Sequence, residues 1–407
     1  MPSETIELRG HIIDSLILPK VLDEIIARDA AFKIKEISIG EQRIDQSFAR
    51  IEVTATSVEA LDELVLHLRQ HGGEVREKKS VQLAAAPADG VFPEGFYVTT
   101  NQRTFVRLGN DEIEVMPALM DSAIVVDAAA KKATPTKFYG VKKGMEIVVG
   151  HHGIRVLPLQ RATARTNFFE FMSSNVSVEK PKTAVIREMA REFKRVRDEK
   201  GKILVVGGPA IVHTGAVEHF EKLIKWGFVH LLFAGNALAA HDIENALFGT
   251  SLGVNLEHGA LADQGTQNHM RAINAIRGVG GIKQAVASGL LQRGIMYTCV
   301  KNKVDFVLAG SIRDDGPLPD VITDAIEAQK AMRAKVEGVT IAMMMGTMLH
   351  SIAVGNLLPA TVKTLCVDIN PGVVTKLADR GTFQAVGLVT DIEPFLRELT
   401  DCIESIG

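Results

Sequence analysis

The sequence predicts an α/β protein in three parts. Residues 1–82 form a ferredoxin-like α+β domain, 83–180 a small all-β domain of barrel or sandwich type, and 181–407 a largely parallel sheet with helices on both faces. Three observations point there. From Lys202 onward the apolar runs KILVVGG, VHLLFAG, DFVLAGS, VTIAMMMG, KTLCVD and FQAVGLVTD alternate with helical stretches, as buried parallel strands and their crossovers do. Residues 96–159 hold only short extended runs between glycine or polar turns. The first segment reads β-α-β-β-α-β, the split β-α-β order.

In chain order, ETIELRGHII alternates as a strand, LILPKVLDEIIARD has helical spacing, and FKIKEISIG and SFARIEVTAT alternate again. SVEALDELVLHLRQHG is a second helix, with Ser57 as its N-cap and Glu59 and Glu63 suited to its first turns. The Ala- and Pro-containing run Leu83 to Gly95 marks the boundary to FYVTT, TFVRLGNDEIEVM, SAIVVDA and EIVVGHHGIRVL, all extended. A polar linker, Met172 to Thr183, leads into the charged helix VIREMAREFKRVRDEKG. Phe248 to Arg277 interrupts the later β-α alternation and reads as a loop or lid over strand ends.

Composition excludes several classes. A net charge of −3 leaves no electrostatic footprint for nucleic acid. The cysteines, Cys299, Cys366 and Cys402, are odd in number and far apart, so neither a disulfide framework nor a metal pattern is expected. The N-terminus lacks the basic-then-apolar order of a signal peptide, and no apolar run reaches spanning length. A cytoplasmic protein without nucleic-acid or membrane partners is expected.

The chemistry concentrates where strands end, which in an open α/β sheet is where ligands bind. GGPAIVHTG, with Gly207 and Gly208, allows close approach of backbone N–H groups to a phosphate, or is an ordinary tight turn. Asn236 and Ala237 follow the second strand; Asn236 can hydrogen-bond a cofactor or simply form a left-handed turn. Asp368 can accept ribose hydroxyls or cap the next helix. In SIRDDGPLPD the adjacent carboxylates Asp314 and Asp315 repel, which favours one as a proton acceptor if they share a cleft. Arg313 offers a purely structural alternative. His350, in GTMLHS, is the histidine best placed for a ligand, whereas His213 and His241 read as structural. No histidine pair has zinc-helix spacing, and Met343 to Met345 reads as buried strand.

The strings GHIIDSLILPKVLD, PADGVFPEGFYVTTN, FMSSNVSVEKP, GPAIVHTG, AGNALAAHDIE, GIMYTCVKN, AGSIRDDGPLPDVITD, TMLHSIAVGN and VDINPGVVTKL together resemble one family across essentially the whole chain. It is the lysine-oxoglutarate reductase/saccharopine dehydrogenase (LOR/SDH) conserved-domain family, with the archaeal ornithine cyclodeaminases and the C-terminal region of cyanobacterial arginine dihydrolase/ornithine cyclodeaminases. The resemblance implies a Rossmann-like C-terminal domain and NAD-dependent conversion of L-ornithine to L-proline and ammonia. Hydride leaves the α-carbon, the imine cyclises, ammonia departs, and hydride returns.

By the same resemblance NAD contacts fall on Asn236, Ala237, Asp315, Thr347, Met348, Leu349, His350, Asp368, Ile369 and Asn370, with Gly207 and Gly208 in the first turn. Asp315 and Asp314 are the catalytic candidates. Arg155, Arg271 and His269 are candidates for holding substrate, and a homo-oligomer is expected. The chain lacks the arginine-degrading domain of the cyanobacterial fusion, so arginine hydrolysis is not expected. DQGTQN, before MRAIN, is poorer in histidine than the family pattern implies. A net NAD-dependent amino-acid dehydrogenase and a non-catalytic NAD or amino-acid sensor are the rival readings.

Overall fold

The computed structural model describes residues 1–13, 15–41, 45–75, 79–158, 182–251, 254–255, 268–314, 316–379 and 385–406. They divide into two compact units, Met1–Asn167 with Leu358–Ala360 and Phe168–Leu357 with Thr361–Gly407.

The first unit opens with β1 (Ser3–Gly10), a helix (Ile17–Ala27), β2 (Ala31–Ser38), β3 (Ser47–Thr54), a helix (Val58–Gln70) and β4 (Glu74–Val75). The sheet order is β2-β3-β1-β4, with every pair antiparallel, the ferredoxin-like arrangement. Period-two alternation drives it: Ile6, Leu8, Ile51 and Val53 turn inward onto Val21, Ile25, Leu64 and Leu68 of the helices. Ser57 caps the second helix as expected, its hydroxyl accepting from Ala60 N at 3.1 Å.

Next come β5 (Gln82–Ala85), β6 (Arg103–Leu108), β7 (Asp111–Glu114), β8 (Ala123–Asp127), β9 (Lys132–Thr136), β10 (Glu146–Val149) and β11 (Ile154–Leu157). They form two antiparallel sheets, β5-β10-β8-β9 and β11-β6-β7, which share one core containing Ile124, Val126 and Val148 from the first and Val106, Ile154 and Val156 from the second. FYVTT is not a strand. Phe96 makes a single bridge to Val149, and Thr99 instead holds the chain through its hydroxyl, which donates to Leu119 O at 2.5 Å. Pro135 sits in the edge strand β9, where a missing N–H costs least.

The second unit carries seven parallel strands: β12 (Lys202–Gly207), β13 (Leu231–Gly235), β16 (Asp305–Ala309), β17 (Val321–Ile322), β18 (Val339–Met345), β19 (Lys363–Asp368) and β20 (Ala385–Val389). Their order is β17-β16-β13-β12-β18-β19-β20, so the chain builds outward from β12 to one edge, returns to β18 beside β12, and builds to the other edge. The reversal between β12 and β18 opens a crevice at the carboxyl ends, as in Rossmann-like sheets. Met343 to Met345 are buried in β18. Helices Lys182–Asp198 and Ile392–Ile406, whose Phe193, Phe395 and Leu399 are buried, share the unit's core with Phe220, Phe228 and Ile243. Within the interrupting segment, the described residues form a hairpin of β14 (Thr250–Ser251) and β15 (Val254–Asn255) and a helix (Asn268–Val279). The rest of that segment, and most of the Met172 to Thr183 linker, lie outside the described residues. Among those described, no helix is long and apolar enough to cross a membrane.

Candidate cofactor and active site

At the order reversal the turns after β12 and β18 touch. Gly208 N donates to Met345 O at 2.8 Å, and a Cβ on Gly208 would lie 1.9 Å from the Gly346 carbonyl oxygen, so no side chain fits. Gly207 is closed off differently: a Cβ there would meet Leu238 of helix Asn236–Phe248 at 2.8 Å. On the next strand, Gly235 faces the His350 ring, which a Cβ would approach to 2.7 Å. His350 stands in helix Met348–Gly355, with its Nδ1 3.5 Å from Thr347 Oγ1. Burial holds its pKa below the usual imidazole value, against the opposing pull of Asp314.

Asn236 is buried and fastens the Ser311 to Asp320 loop to the end of β13. Its Nδ2 donates to Asp314 Oδ1 at 3.3 Å, and its Oδ1 accepts from Leu318 N at 3.1 Å. The same loop is gripped by Arg277, whose Nε and Nη2 donate to Pro317 O, and by Asp320, which accepts from Ile282 N. Asp314 also accepts from Ser311 N at 2.7 Å through Oδ2. Its carboxylate therefore shapes the turn. Asp315 lies outside the described residues.

Asp368 ends β19 nearly buried. Its Oδ1 accepts from Asn370 N at 2.8 Å, and Asn370 Oδ1 accepts from Gly372 N at 2.9 Å, leading into helix Pro371–Asp379. Neither Arg nor Lys occurs between Asp368 and Gly372. Along this rim Ile312, Leu349 and Ile369 are largely exposed apolar side chains, and Met348 is partly so. Ala237 is half-buried at the start of its helix.

Sequence reasoning set His213 and His241 aside, yet the structure gathers them with His269. Ring centroids are 4.9 Å apart for His213–His241 and 6.4 Å for His241–His269. The buried Glu244 accepts from Thr250 Oγ1 at 2.9 Å and lies 3.0 Å from His241 Nδ1, while His213 Nδ1 is 2.7 Å from Ser251 Oγ. Burial first, then His241, keep the pKa of His213 low, with Glu244 opposing. His213 and His241 each lie six residues beyond the end of a strand, β12 and β13. Nothing local in sequence links the three; only the topology does. Among the described residues no group of three metal-ligating side chains could hold an ion.

Arg271 is exposed on helix Asn268–Val279. Arg155 belongs to the first unit, on β11, where it grips Glu112 with two bonds of 2.9 and 2.7 Å and stacks over Phe105. That carboxylate raises its pKa further.

Three family models match in tandem: the LOR/SDH bifunctional enzyme conserved region over residues 3–102, the first C-terminal region of ArgZ-like arginine dihydrolases over 103–186, and their C-terminal Rossmann fold over 187–399. The ornithine cyclodeaminase of Methanocaldococcus jannaschii is 52% identical over 406 residues, 98% of this chain and 96% of that protein. The crystal structure of an LOR/SDH protein from Methanococcus maripaludis superposes with a TM-score of 0.76 at 47% identity, covering 82% of this chain and 99% of the other. The bifunctional arginine dihydrolase/ornithine cyclodeaminase AgrE of Nostoc is 40% identical over 99% of this chain and 58% of AgrE. AgrE has been crystallised as a ternary complex with ornithine and NAD+, which aligns at a TM-score of 0.54 and 39% identity over 100% of this chain and 58% of the other.

Proposed function

The chain belongs to the ArgZ-like family with an LOR/SDH N-terminal region, and from that premise we propose that it is an NAD-dependent ornithine cyclodeaminase, converting L-ornithine to L-proline and ammonia. The observation that carries this reading is the polar rim of the parallel sheet at its order reversal, in a chain about half identical to named ornithine cyclodeaminases.

The rim fits a dinucleotide. The side-chain-free contact of Gly208 with Gly346 leaves bare backbone where a pyrophosphate needs close approach. Asp368 suits an unmodified ribose, and the exposed Leu349 and Ile369 offer apolar faces to flat rings. We assign the cofactor to Gly207, Gly208, Asn236, Ala237, Asp315, Thr347, Met348, Leu349, His350, Asp368, Ile369 and Asn370. Bound NAD would supply a hydride acceptor for the ornithine α-carbon and a donor for the cyclised product. The chain's own tasks are to orient ornithine so that its δ-amine reaches the α-carbon, to exclude water, and to accept a proton. Asp315 takes the proton in this reading, with Asp314 and Asn236 holding the described part of its loop; His350 offers one hydrogen bond. His269 and Arg271 hold substrate groups from the histidine side. Arg155, in the other unit, is held by Glu112. A cytoplasmic location and a homo-oligomeric assembly complete the proposal; the cysteines are buried thiols, in keeping with a reducing compartment.

Isotope tracing tests the reaction. With ornithine deuterated at the α-carbon and NAD present in catalytic amount, the label is expected at the proline α-carbon, with ammonia and proline formed equally. NADH rising in step with ornithine loss would mark a net dehydrogenase, and no turnover of any amino acid would mark a sensor. Cofactor choice is a separate expectation. NADP should bind at least about tenfold more weakly than NAD, or ~1.4 kcal/mol, because its 2′-phosphate meets Asp368 with neither Arg nor Lys in the turn from Asp368 to Gly372. Fluorescence titration giving equal or tighter NADP binding would remove Asp368 from the ribose.

A further inference from the structure

Strand β2 is an edge of the N-terminal sheet, and all eight of its residues are exposed. Phe32 is 37% exposed, Ile34 39%, Ile37 45% and, just beyond the strand, Ile39 58%. A long apolar edge of this kind is a template for another strand unless charge, proline or a covering element blunts it.

The register against β3 fixes the facing of each side chain. Phe32, Ile34 and Ile37 stand opposite Val53, Ile51 and Ala49, all buried, and so point to the helix side. Lys33 and Glu36 stand opposite Glu52 and Arg50 on the other face. The irregularity between Ile34 and Glu36 inserts Lys35, whose ammonium lies 2.7 Å from Glu52 on that same outer face. Facing and chemistry are therefore symmetric about the Lys35–Glu36 peptide. Reading outward in both directions gives opposite charges (Lys35, Glu36), then isoleucines turned inward (Ile34, Ile37), then polar side chains outward (Lys33, Ser38), then large apolar ones (Phe32, Ile39).

We propose that two copies of this chain associate by antiparallel pairing of their β2 edges, with Ile34 facing Ile37 of the second copy, Phe32 facing Ile39, and Lys35 facing Glu36. This deepens the homo-oligomeric part of the proposed function and rests on it. A two-fold pairing sets each residue of the strand against its counterpart read backwards, so only a strand symmetric in this manner matches itself. Sliding the pairing by one residue would set inward isoleucines against outward polar side chains, and sliding it by two would set Ile34 against Lys35 in one direction and Ile37 against Glu36 in the other. The match is specific to a second copy, since an unrelated partner would impose no such symmetry. Pairing joins two four-stranded sheets into one and continues the apolar row across the junction.

Sedimentation velocity on the full chain tests it. The parent is expected to contain a dimer at micromolar concentration, and Ile34→Lys/Ile37→Lys to weaken that dimer by roughly 100-fold or more, because like charges then face each other in the ladder. Both positions are exposed, so the variant should keep the parent's circular dichroism and unfolding transition. A second variant, Lys33→Cys/Ser38→Cys, should form a disulfide-linked dimer on mild oxidation, while each single substitution should not. The two positions lie roughly 17 Å apart along one strand, too far to bridge within a chain, and the native cysteines are buried. A monomeric parent would overturn both this pairing and the homo-oligomer. An oligomer that survives the lysine substitutions and fails to cross-link would overturn the β2 pairing alone.

Discussion

Asp315→Asn is expected to lower ornithine turnover by roughly 10²–10⁴-fold, the usual cost of losing a general base, while leaving the fold intact. The substitution keeps the side chain's shape and removes its charge. Asp314 accepts from Ser311 N and Asn236 Nδ2 and so shapes the turn. The described parts of the loop are held at Asp314 by Asn236 Nδ2 and beyond it by Asn236 on Leu318 N and Arg277 on Pro317 O. Asp314→Asn is the informative comparison. It can keep one of its two hydrogen bonds, so it should raise the KM for NAD more than it lowers kcat. Ammonia release at saturating ornithine across a titration of NAD measures both. A folded Asp315→Asn enzyme within about tenfold of the parent would reduce the pair to a turn.

Asp242→Ala should destabilise the protein by roughly 2–6 kcal/mol, the cost of leaving two buried N–H groups without acceptors. Asp242 is fully buried in helix Asn236–Phe248, and its two carboxylate oxygens accept from Ile295 N and Met296 N at 2.8 Å each, capping a helix distant in sequence. Burial pushes its carboxyl up to about 7; the Met296 and Ile295 N–H groups pull it down, and the charge of Glu221 adds to the rise. Because the folded value lies above the unfolded one, this group's contribution is complete below about pH 4 and is lost as pH rises through 7. The difference between parent and variant should thus be larger at pH 5 than at pH 8. Urea unfolding at the two values measures it. A loss below about 1 kcal/mol would show that Asp242 does not hold the helix, and one that grows with pH would show that burial does not raise its carboxyl.

Much of this was legible in the chain. The six long strands of the second unit read correctly because strands covered on both faces are nearly continuous apolar runs. The polar residues gathered at their ends stood out for the same reason, against a uniform background. β17 escaped notice, since Val321–Ile322 is two residues inside a turn-rich string and is a strand only by pairing with β16. FYVTT misled because its alternation suits a strand, whereas only Phe96 and Tyr97 meet β10 and Thr99 turns to the loop around Leu119 and Ser122. Asn236 was noticed as a polar strand-end residue, but its partner lies 78 residues away and its work as a fastener is invisible locally. The histidine cluster failed to register for the same cause: each member is ordinary in its own helix, and the constellation exists only once β12 and β13 are neighbours.

The contact of Gly208 with Gly346 bears on how such a cleft can change over time. Its floor is made of main chain from two turns pressed together, and main chain is common to all residues. A single codon change there adds atoms where none fit, so the floor is closed to gradual alteration. Along the margins, by contrast, Leu349 and Ile369 project into solvent, where a change of side chain meets no such steric bar. Descendants of this architecture that accept a different ligand should therefore differ at those projecting side chains and keep both glycines.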